Sequence, residues 1–284
     1  MVRIGTVWDS AVEAVRGRTG LIAPIAIATL FLPSVAQAAV QAYFPPQAGA
    51  AAGGPAAIMF LVTVAALVVT LWGGLAITAI TSHPNTTSAD ATGRATVRIL
   101  PLIGVTLALG FALMLVMIPA LVAIVASGVD LSNVTPGDRF PLSGGTAAFV
   151  GLYMLVAFGF LLWLFARLLP LVPTVLHERR GLGAVGRAFR MTKGLGLRLV
   201  GVVLLYFVVL AVASGAAQLV LGLVARLLLG EEGSATARFV GGIAGAVVAT
   251  VLSVLSYAFV ARLYAALSGR DLADVFEDAR SPAT

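Results

Sequence analysis

Six long apolar segments dominate this chain and limit what it can fold into. Arg167 and Arg226 are the only charged residues within them, and the segments cover residues 21–42, 57–81, 99–127, 146–169, 199–229 and 239–261. About 20 apolar residues cross the ~30 Å hydrocarbon layer of a bilayer as a helix. Lipid offers the backbone no hydrogen-bond partner, so each segment has to satisfy its own backbone groups. The sequence therefore predicts an all-α, polytopic membrane protein with six transmembrane helices.

Composition excludes several kinds of protein. Apolar residues make up 60% of the chain and charged residues 11%, against about 25% charged in soluble domains. Residues 1–284 therefore leave no stretch for a soluble catalytic domain. The chain has no cysteine, which excludes disulfides, thiolate catalysis and cysteine-ligated metals. Lys193 is the single lysine among 18 basic residues, and with abundant Ala, Gly, Val and Leu this is typical of a GC-rich bacterial genome.

The first segment ends in Ala36-Gln37-Ala38, a pattern that also occurs at signal-peptide cleavage sites. We expect it to be the first span. Orientation follows from the basic residues, since Lys and Arg are concentrated in cytoplasmic loops. Fifteen of them fall on the side of the termini and three on the other. The sequence predicts a bacterial inner-membrane protein with both termini, including a tail at 268–284, in the cytoplasm.

Two stretches of the chain resemble each other. TGRATVRILPLIGV at 92–105 matches VGRAFRMTKGLGLRLVGV at 185–202 when four residues are inserted. A polar amphipathic stretch leads in each case to a long apolar segment, interrupted at Pro119 or at Ser214-Gly215, and a second apolar segment follows. The first part of the chain shows the same order, with an interruption at Pro33. We predict three units, 1–82, 83–176 and 177–267, each an interfacial helix plus a membrane hairpin, in a pseudo-threefold arrangement within one membrane domain.

The polar stretches read as helices lying in the plane of the interface. In the first, Ile4, Val7, Trp8, Ala11, Val12 and Val15 share one face of a helical wheel. In the third, the apolar face is formed by Leu182, Val185 and Phe189. Small residues predict close helix packing inside the bilayer. They are Gly241, Gly245, Ala249 and Ser253 in the sixth segment and Gly73-Gly74 in the second.

Arg167 has two interpretations. A helix that starts near Ala147 has risen about 30 Å by Arg167, so the arginine could reach the interface and snorkel while Pro170 and Pro173 end the helix. Alternatively, Arg167 forms a pocket for an anionic lipid headgroup. In both interpretations, residues 163–201 leave one span, turn at the membrane surface and enter the next span.

A basic cluster follows Arg167 along the chain. Its candidate lipid-binding residues are Arg179, Arg180, Arg187, Arg190 and Lys193, and Glu178 is the only acid among them. Each such cation contributes about 1 kcal/mol near an anionic membrane surface. The same charges are also what a cytoplasmic loop carries without any binding role. Nucleic acid is a poor partner because the sequence has no soluble fold that could place a helix or strand in a nucleic-acid groove.

Signatures of catalysis and of metal binding are missing from the sequence. HERRG at 177–181 lacks the second histidine of H-E-x-x-H, and no G-x-S-x-G or phosphate-binding glycine loop occurs. His83 and His177 without convergent acids make a weak metal site. No Asp or Glu lies inside a span, which weakens proton-coupled transport. We predict a non-enzymatic protein with no cofactor and no metal.

Residues 172–201 resemble a recurring segment of the glycerophosphodiester phosphodiesterase membrane-domain family. The matching positions are Pro173, Glu178, Arg179, Ala184, Arg187, Ala188, Phe189, Thr192, Lys193 and Gly194. The resemblance covers about 30 residues, and the six-span layout is compatible with it. It implies a stand-alone inner-membrane module connected with lipid. The phosphodiesterase activity belongs to a soluble domain for which this sequence has no stretch, so that activity is not implied.

The functional prediction is a lipid-interacting membrane protein that binds anionic phospholipid and supports a membrane process, with a protein partner or a second copy of itself. One alternative is a transporter or channel, since interrupted spans and polar residues such as Gln37, Thr70, Thr106 and Gln218 can line a path. A lipid-modifying intramembrane enzyme is the weakest alternative, because no acid, base and nucleophile come together.

Overall fold

The structure is a computed structural model and describes residues 4–44, 54–83, 85–128, 142–177, 183–230 and 233–269. These residues form helices and no strand. The helices are α1 (Ile4–Arg16), α2 (Thr19–Ala26), α3 (Leu32–Tyr43), α4 (Gly54–Ser82), α5 (Ser88–Ala126), α6 (Gly144–Arg167), α7 (Leu171–His177), α8 (Gly183–Met191), α9 (Gly196–Leu229) and α10 (Ser234–Ser268). A π-helical segment, Ile27–Phe31, joins α2 to α3.

Six helical segments of the described chain are long and apolar enough to cross a membrane. They are Thr19–Tyr43, Ala57–Ser82, Ser88–Ala126, Gly144–His177, Gly196–Leu229 and Ser234–Ser268. The first combines α2, the π-helical segment and α3, and the fourth combines α6 with α7. The predicted all-α, multi-pass fold with six spans is confirmed. Consecutive spans contact each other as hairpins: α3 with α4, α5 with α6, and α9 with α10.

Two of the three predicted interruptions do not break a helix. α5 continues through Pro119 and α9 continues through Ser214-Gly215. In lipid, a break would expose backbone groups that have no other partner, so the helix continues. The first span does change its geometry, because the ring of Pro33 clashes with the carbonyl of Thr29 in a regular helix. The π-helical segment lies at this point, and the Thr70 hydroxyl of α4 donates to Thr29 O at 3.3 Å.

The three polar stretches differ more than the sequence suggests. The first forms a separate helix, α1, and the third forms α8. The second is the beginning of α5, where Thr87 and Asp90 form a capping box. The four residues inserted in the third stretch account for the difference, because they include Gly194, whose φ of +85° lies in the turn between the end of α8 at Met191 and the start of α9. In α8 the buried residues are Ala184 and Ala188, while Val185 and Phe189 are half-buried.

Burial recurs at a fixed spacing between the first and third units. α2 begins at Thr19 and α9 at Gly196, which is 177 residues later. Four pairs of buried residues have the same separation: Val7 and Ala184, Ala11 and Ala188, Ile22 and Leu199, and Ala26 and Val203. A repeated unit produces this pattern, since equivalent positions meet equivalent surroundings. The boundaries of the three units stay a prediction.

Each polar element packs against the last span of the unit before it. The rings of Trp8 in α1 and Phe259 in α10 are 6.3 Å apart between centroids. Trp72 of α4 donates from Nε1 to the Thr96 hydroxyl of α5 at 3.1 Å. Trp163 of α6 and Phe189 of α8 pack edge to face with centroids 6.0 Å apart. The contact between α1 and α10 thus joins the first predicted unit to the third.

Several of the small residues predicted to allow close helix packing do so, Gly241 and Gly74 among them. A Cβ added to Gly241 of α10 would lie 2.6 Å from the Gln218 carbonyl oxygen of α9. One added to Gly74 of α4 would lie 2.7 Å from the Tyr257 ring of α10. α10 and α9 approach backbone to backbone at Gly241, and Gly74 makes room for the Tyr257 ring, as small residues allow in lipid. α10 also contacts α1, α3 and α7, so it is the central helix of the bundle.

Candidate functional site

The chain turns back into the protein after Arg167. α6 ends there, and α7 packs against α4, α5, α8 and α10. Its buried residues are Leu171, Pro173, Thr174, Val175 and Leu176. Leu171–His177 is thus enclosed by other helices, and the position of 163–201 at the membrane surface stays a prediction. The apolar side chains of α7 fill the space between the ends of four helices, and Thr174 satisfies its hydroxyl by donating to Pro170 O at 2.6 Å.

Arg167 lies beside the junction between α8 and α9. Its Nη1 donates to the Phe189 carbonyl of α8 at 3.3 Å. Its guanidinium carbon is 5.4 Å from the centre of the Trp163 ring, in cation–π geometry. Its Nε is buried and has no hydrogen-bond partner among the described residues. Arg167 therefore remains half-buried between α6 and the α8–α9 junction.

The α8–α9 junction provides further hydrogen-bond donors. Thr192 is fully buried, and its hydroxyl donates to Ala188 O at 2.9 Å and approaches Arg167 O at 3.3 Å. After Gly194 the chain enters α9, which has no side-chain cap at its N-terminus. The first N–H groups of a helix have no partner within the helix and favour negative charge. The start of α9 thus presents such groups next to the guanidinium.

Two side-chain donors converge on Gly196, the first residue of α9. A Cβ built on Gly196 would lie 3.4 Å from Arg167 Nε and 3.7 Å from Trp163 Nε1. We call Arg167, Trp163 and Gly196 the Arg167 site. No carboxylate in the described ranges contacts Arg167. A half-buried guanidinium with no carboxylate beside it favours an anion that carries oxygen acceptors.

The predicted basic residues lie at different distances from this site. Arg187 is half-buried on α8, while Arg190 and Lys193 are exposed on α8 and at the junction. Arg179 and Arg180 lie outside the described residues. The structure thus places Arg167, Arg187, Arg190 and Lys193 on or beside α8. It adds Trp163 and Gly196, which sequence analysis did not propose. The signal for Trp163 was its position four residues before Arg167 on the same helical face.

Arg262 of α10 provides a comparison within the same chain. Ala166-Arg167-Leu168 at the end of α6 recurs as Ala261-Arg262-Leu263 near the end of α10. Arg262 also has a buried Nε without a hydrogen-bond partner among the described residues. Unlike Arg167, it interacts electrostatically with an acid, Glu13 of α1. The chain therefore supplies a negative charge to one of the two arginines.

His177 contacts side chains of two neighbouring helices. His177 Nε2 is 3.3 Å from the Ser82 hydroxyl, and its ring stacks on Tyr264 with 5.7 Å between centroids. The described residues contain no group of three or more His, Cys, Asp and Glu that could hold a metal ion. His177 thus joins the ends of α4, α7 and α10.

Gly194 offers a direct test of the junction. Alanine at a left-handed backbone position costs about 1–2 kcal/mol, so Gly194→Ala should lower the midpoint of thermal unfolding in detergent and displace α8. Gly186→Ala is the matched control, since Gly186 lies within α8 and nothing lies within 4 Å of the added Cβ. The control should leave stability unchanged or raise it, because alanine favours helix. Equal effects of the two variants would contradict the role of the junction.

Comparisons of the chain with protein-family models, with curated proteins and with solved structures give no match.

Proposed function

We propose that this multi-pass membrane protein binds an anionic phospholipid at the Arg167 site and supports a membrane process through that contact. The observation that carries the proposal is the half-buried guanidinium of Arg167, which has no carboxylate partner among the described residues and faces the uncapped start of α9. A lipid phosphate accepts hydrogen bonds from both. The resemblance of residues 172–201 to a lipid-connected membrane family supports the same class of ligand.

Charge around the site also favours an anionic lipid. Arg190 and Lys193 are exposed, and Arg198 is exposed in the first turn of α9. Such cations attract anionic headgroups at the membrane surface. With this side of the bundle facing the cytoplasm, as the distribution of Lys and Arg predicts, the ligand comes from the inner leaflet.

The structure gives less support to a transport function than the sequence does. That alternative depended on broken spans, and α5 and α9 are continuous through their predicted interruptions. Five residues of α7 are buried between α4, α5, α8 and α10, which leaves the bundle filled at that end. We therefore propose a non-enzymatic lipid-binding role, in which a partner protein or second copy of the chain uses the assembled surface.

The test is a titration of the purified full chain with phosphatidylglycerol in mild detergent. The triple variant Arg187→Gln, Arg190→Gln, Lys193→Gln should raise the apparent Kd on the order of 100-fold, from about 1 kcal/mol per cation. Arg16→Gln, an exposed arginine of α1, should leave the Kd unchanged. An unchanged Kd in the triple variant would contradict the proposal.

Arg167→Met separates binding from stability. An arginine with one long hydrogen bond to the protein adds little to folding, and apolar replacement of a poorly paired buried charge is often neutral or stabilising. The variant should thus keep its unfolding midpoint and lose phosphatidylglycerol affinity. A loss of stability with unchanged lipid affinity would make Arg167 a structural residue only.

A further inference from the structure

The start of α9 has backbone donors without acceptors. Leu199 N–H donates to Leu195 O at 3.0 Å and begins the regular hydrogen bonding of the helix. The N–H groups of Gly196, Leu197 and Arg198 have no acceptor in the described part of the chain. Leu195, at the N-cap position, has no side chain that could accept from them. These three N–H groups, at the positive end of the helix dipole, favour an anion.

Two side chains of α6 add donors next to this helix end. A guanidinium has five N–H groups, and Arg167 donates one of them to the Phe189 carbonyl. The indole Nε1 of Trp163 makes no hydrogen bond within the described ranges. Arg167 Nε and Trp163 Nε1 both lie within 4 Å of the position of a Cβ on Gly196. The Arg167 site therefore brings backbone donors of α9 and side-chain donors of α6 together.

Positive charge at the site is not balanced by acids of the described chain. Lys193 and Arg198 are exposed on either side of Gly196. Residues 142–177 and 183–230, which hold α6, α7, α8 and α9, contain no Asp or Glu. A ligand with two negative charges balances more of this charge than a ligand with one.

Comparable groups elsewhere in the chain have an acid of their own. At the start of α5, the Asp90 carboxylate accepts from the N–H of Thr87 in a capping box. Near the end of α10, Arg262 interacts electrostatically with Glu13. The described residues give neither the start of α9 nor Arg167 such an acid. The negative group at this site thus has to come from a ligand.

We propose that the Arg167 site selects a phosphomonoester headgroup, as in phosphatidic acid, over the phosphodiester of phosphatidylglycerol. This inference rests on the proposed function, since it names the headgroup for the same site. A phosphomonoester has three terminal oxygens and a charge of about −1.5 to −2 at pH 7. A phosphodiester has two terminal oxygens and one negative charge. The monoester therefore offers an oxygen each to the start of α9, the guanidinium and the indole, and balances more of the positive charge.

Apolar surface beside the site favours a lipid over a free phosphate. Leu197 in the first turn of α9 is 86% exposed, and Phe165 of α6 is 52% exposed. Acyl chains can contact these side chains, and burial of their methylene groups adds to the affinity. Inorganic phosphate offers the same oxygens without such contacts.

The test compares two lipids on the purified full chain in mild detergent. Native mass spectrometry gives the Kd of phosphatidic acid and of phosphatidylglycerol with identical acyl chains. We expect phosphatidic acid to bind about tenfold more tightly, the effect of one further charge-assisted hydrogen bond. Arg167→Met should weaken the binding of both lipids. Inorganic phosphate at an equal concentration should leave phosphatidic acid bound, and displacement of the lipid would instead indicate a free-phosphate site and contradict the proposal.

Two variants test the donors separately. Trp163→Phe keeps an aromatic ring and removes the indole N–H. Leu197→Pro removes a backbone N–H in the first turn of α9, where proline is tolerated because this group has no partner within the helix. Each variant should lower the ratio of the two affinities severalfold. Gly145→Pro is the matched control, since Gly145 is likewise the second residue of a helix, at the opposite end of α6 from Arg167, and it should leave the ratio unchanged.

The outcomes separate this inference from the proposed function. Equal affinities for the two lipids, both lost in Arg167→Met, would overturn the headgroup selection and leave the proposed function intact. Affinities that Arg167→Met does not change would contradict the proposed function as well. A ratio that neither Trp163→Phe nor Leu197→Pro lowers would also refute the selection, because the preference would then come from charge at the membrane surface.

Discussion

Leucine at Gly73 or Gly74 is expected to prevent stable assembly of the bundle. α4 is enclosed on two sides at this point. A Cβ at Gly73 would overlap the Thr29 side chain of the π-helical segment, and a Cβ at Gly74 would lie 2.7 Å from the Tyr257 ring of α10. Overpacking of this kind costs about 1–3 kcal/mol, and more where backbone must move. Because neither neighbouring helix can withdraw without losing its own core contacts, we expect at least the upper end of that range.

The measurement is the thermal unfolding midpoint in detergent, together with the fraction of protein that elutes as a single folded species. Gly110→Leu is the matched control, since Gly110 lies inside α5 and an added Cβ has nothing within 4 Å. That variant should behave like the natural chain. Similar losses at Gly74 and Gly110 would show that leucine acts through helix propensity or detergent binding, and would contradict the packing argument.

Arg18→Gln is expected to have the second largest effect on stability. Arg18 lies between α1 and α2 and donates from Nη1 to the carbonyl oxygens of Ile80 at 2.7 Å and of His83 at 2.9 Å. These carbonyls belong to the end of α4, where backbone acceptors have no partner within the helix. A hydrogen bond from a charged donor contributes about 1.5–3 kcal/mol. The cation also interacts favourably with the negative end of the helix dipole.

We expect Arg18→Gln to lower the free energy of unfolding by about 3 kcal/mol, since both carbonyls then lose a charged donor. Arg16→Gln is the control, because Arg16 is exposed two residues earlier. Arg18→Lys should recover part of the loss, since lysine keeps the charge but has a more compact, flexible donor group. The idea fails if the Arg16 and Arg18 variants are equally stable in the same detergent.

The transmembrane layout could be predicted because the bilayer imposes it. Each predicted span coincides with a helix that is long and apolar enough to cross, although the helical segments extend further, as from 99–127 to Ser88–Ala126. The polar residues next to an apolar segment extend its helix where their side chains can cap the helix end. Asp90 does so by capping α5 together with Thr87. Close helix contacts could also be predicted, since Gly241 leaves room for the backbone of α9 and Gly74 for the Tyr257 ring of α10.

The candidate site was only partly predictable. Arg167 stood out because a charge in an apolar segment is rare, and the basic residues after it were visible as a cluster. Their relation to Arg167 depends on the path of the chain, which α7 and Gly194 decide together. The left-handed conformation of Gly194 cannot be distinguished in the sequence from the ordinary helical conformation of Gly186. Trp163 lies near Arg167 because both are on α6, four residues apart, whereas the start of α9 meets Arg167 only because α9 packs against α6.

The sequence by itself determined that this protein is a multi-pass membrane protein, because the free energy of transferring about 20 apolar residues into lipid outweighs every local preference. Tertiary structure alone decided that α7 turns inward, that α5 remains unbroken, and that two similar arginines acquire different surroundings. These outcomes depend on interactions between residues far apart in the chain, such as the electrostatic interaction of Arg262 with Glu13 and the hydrogen bond from Arg167 to Phe189 O. The order of residues in the sequence does not show which of these distant residues become neighbours in the folded protein.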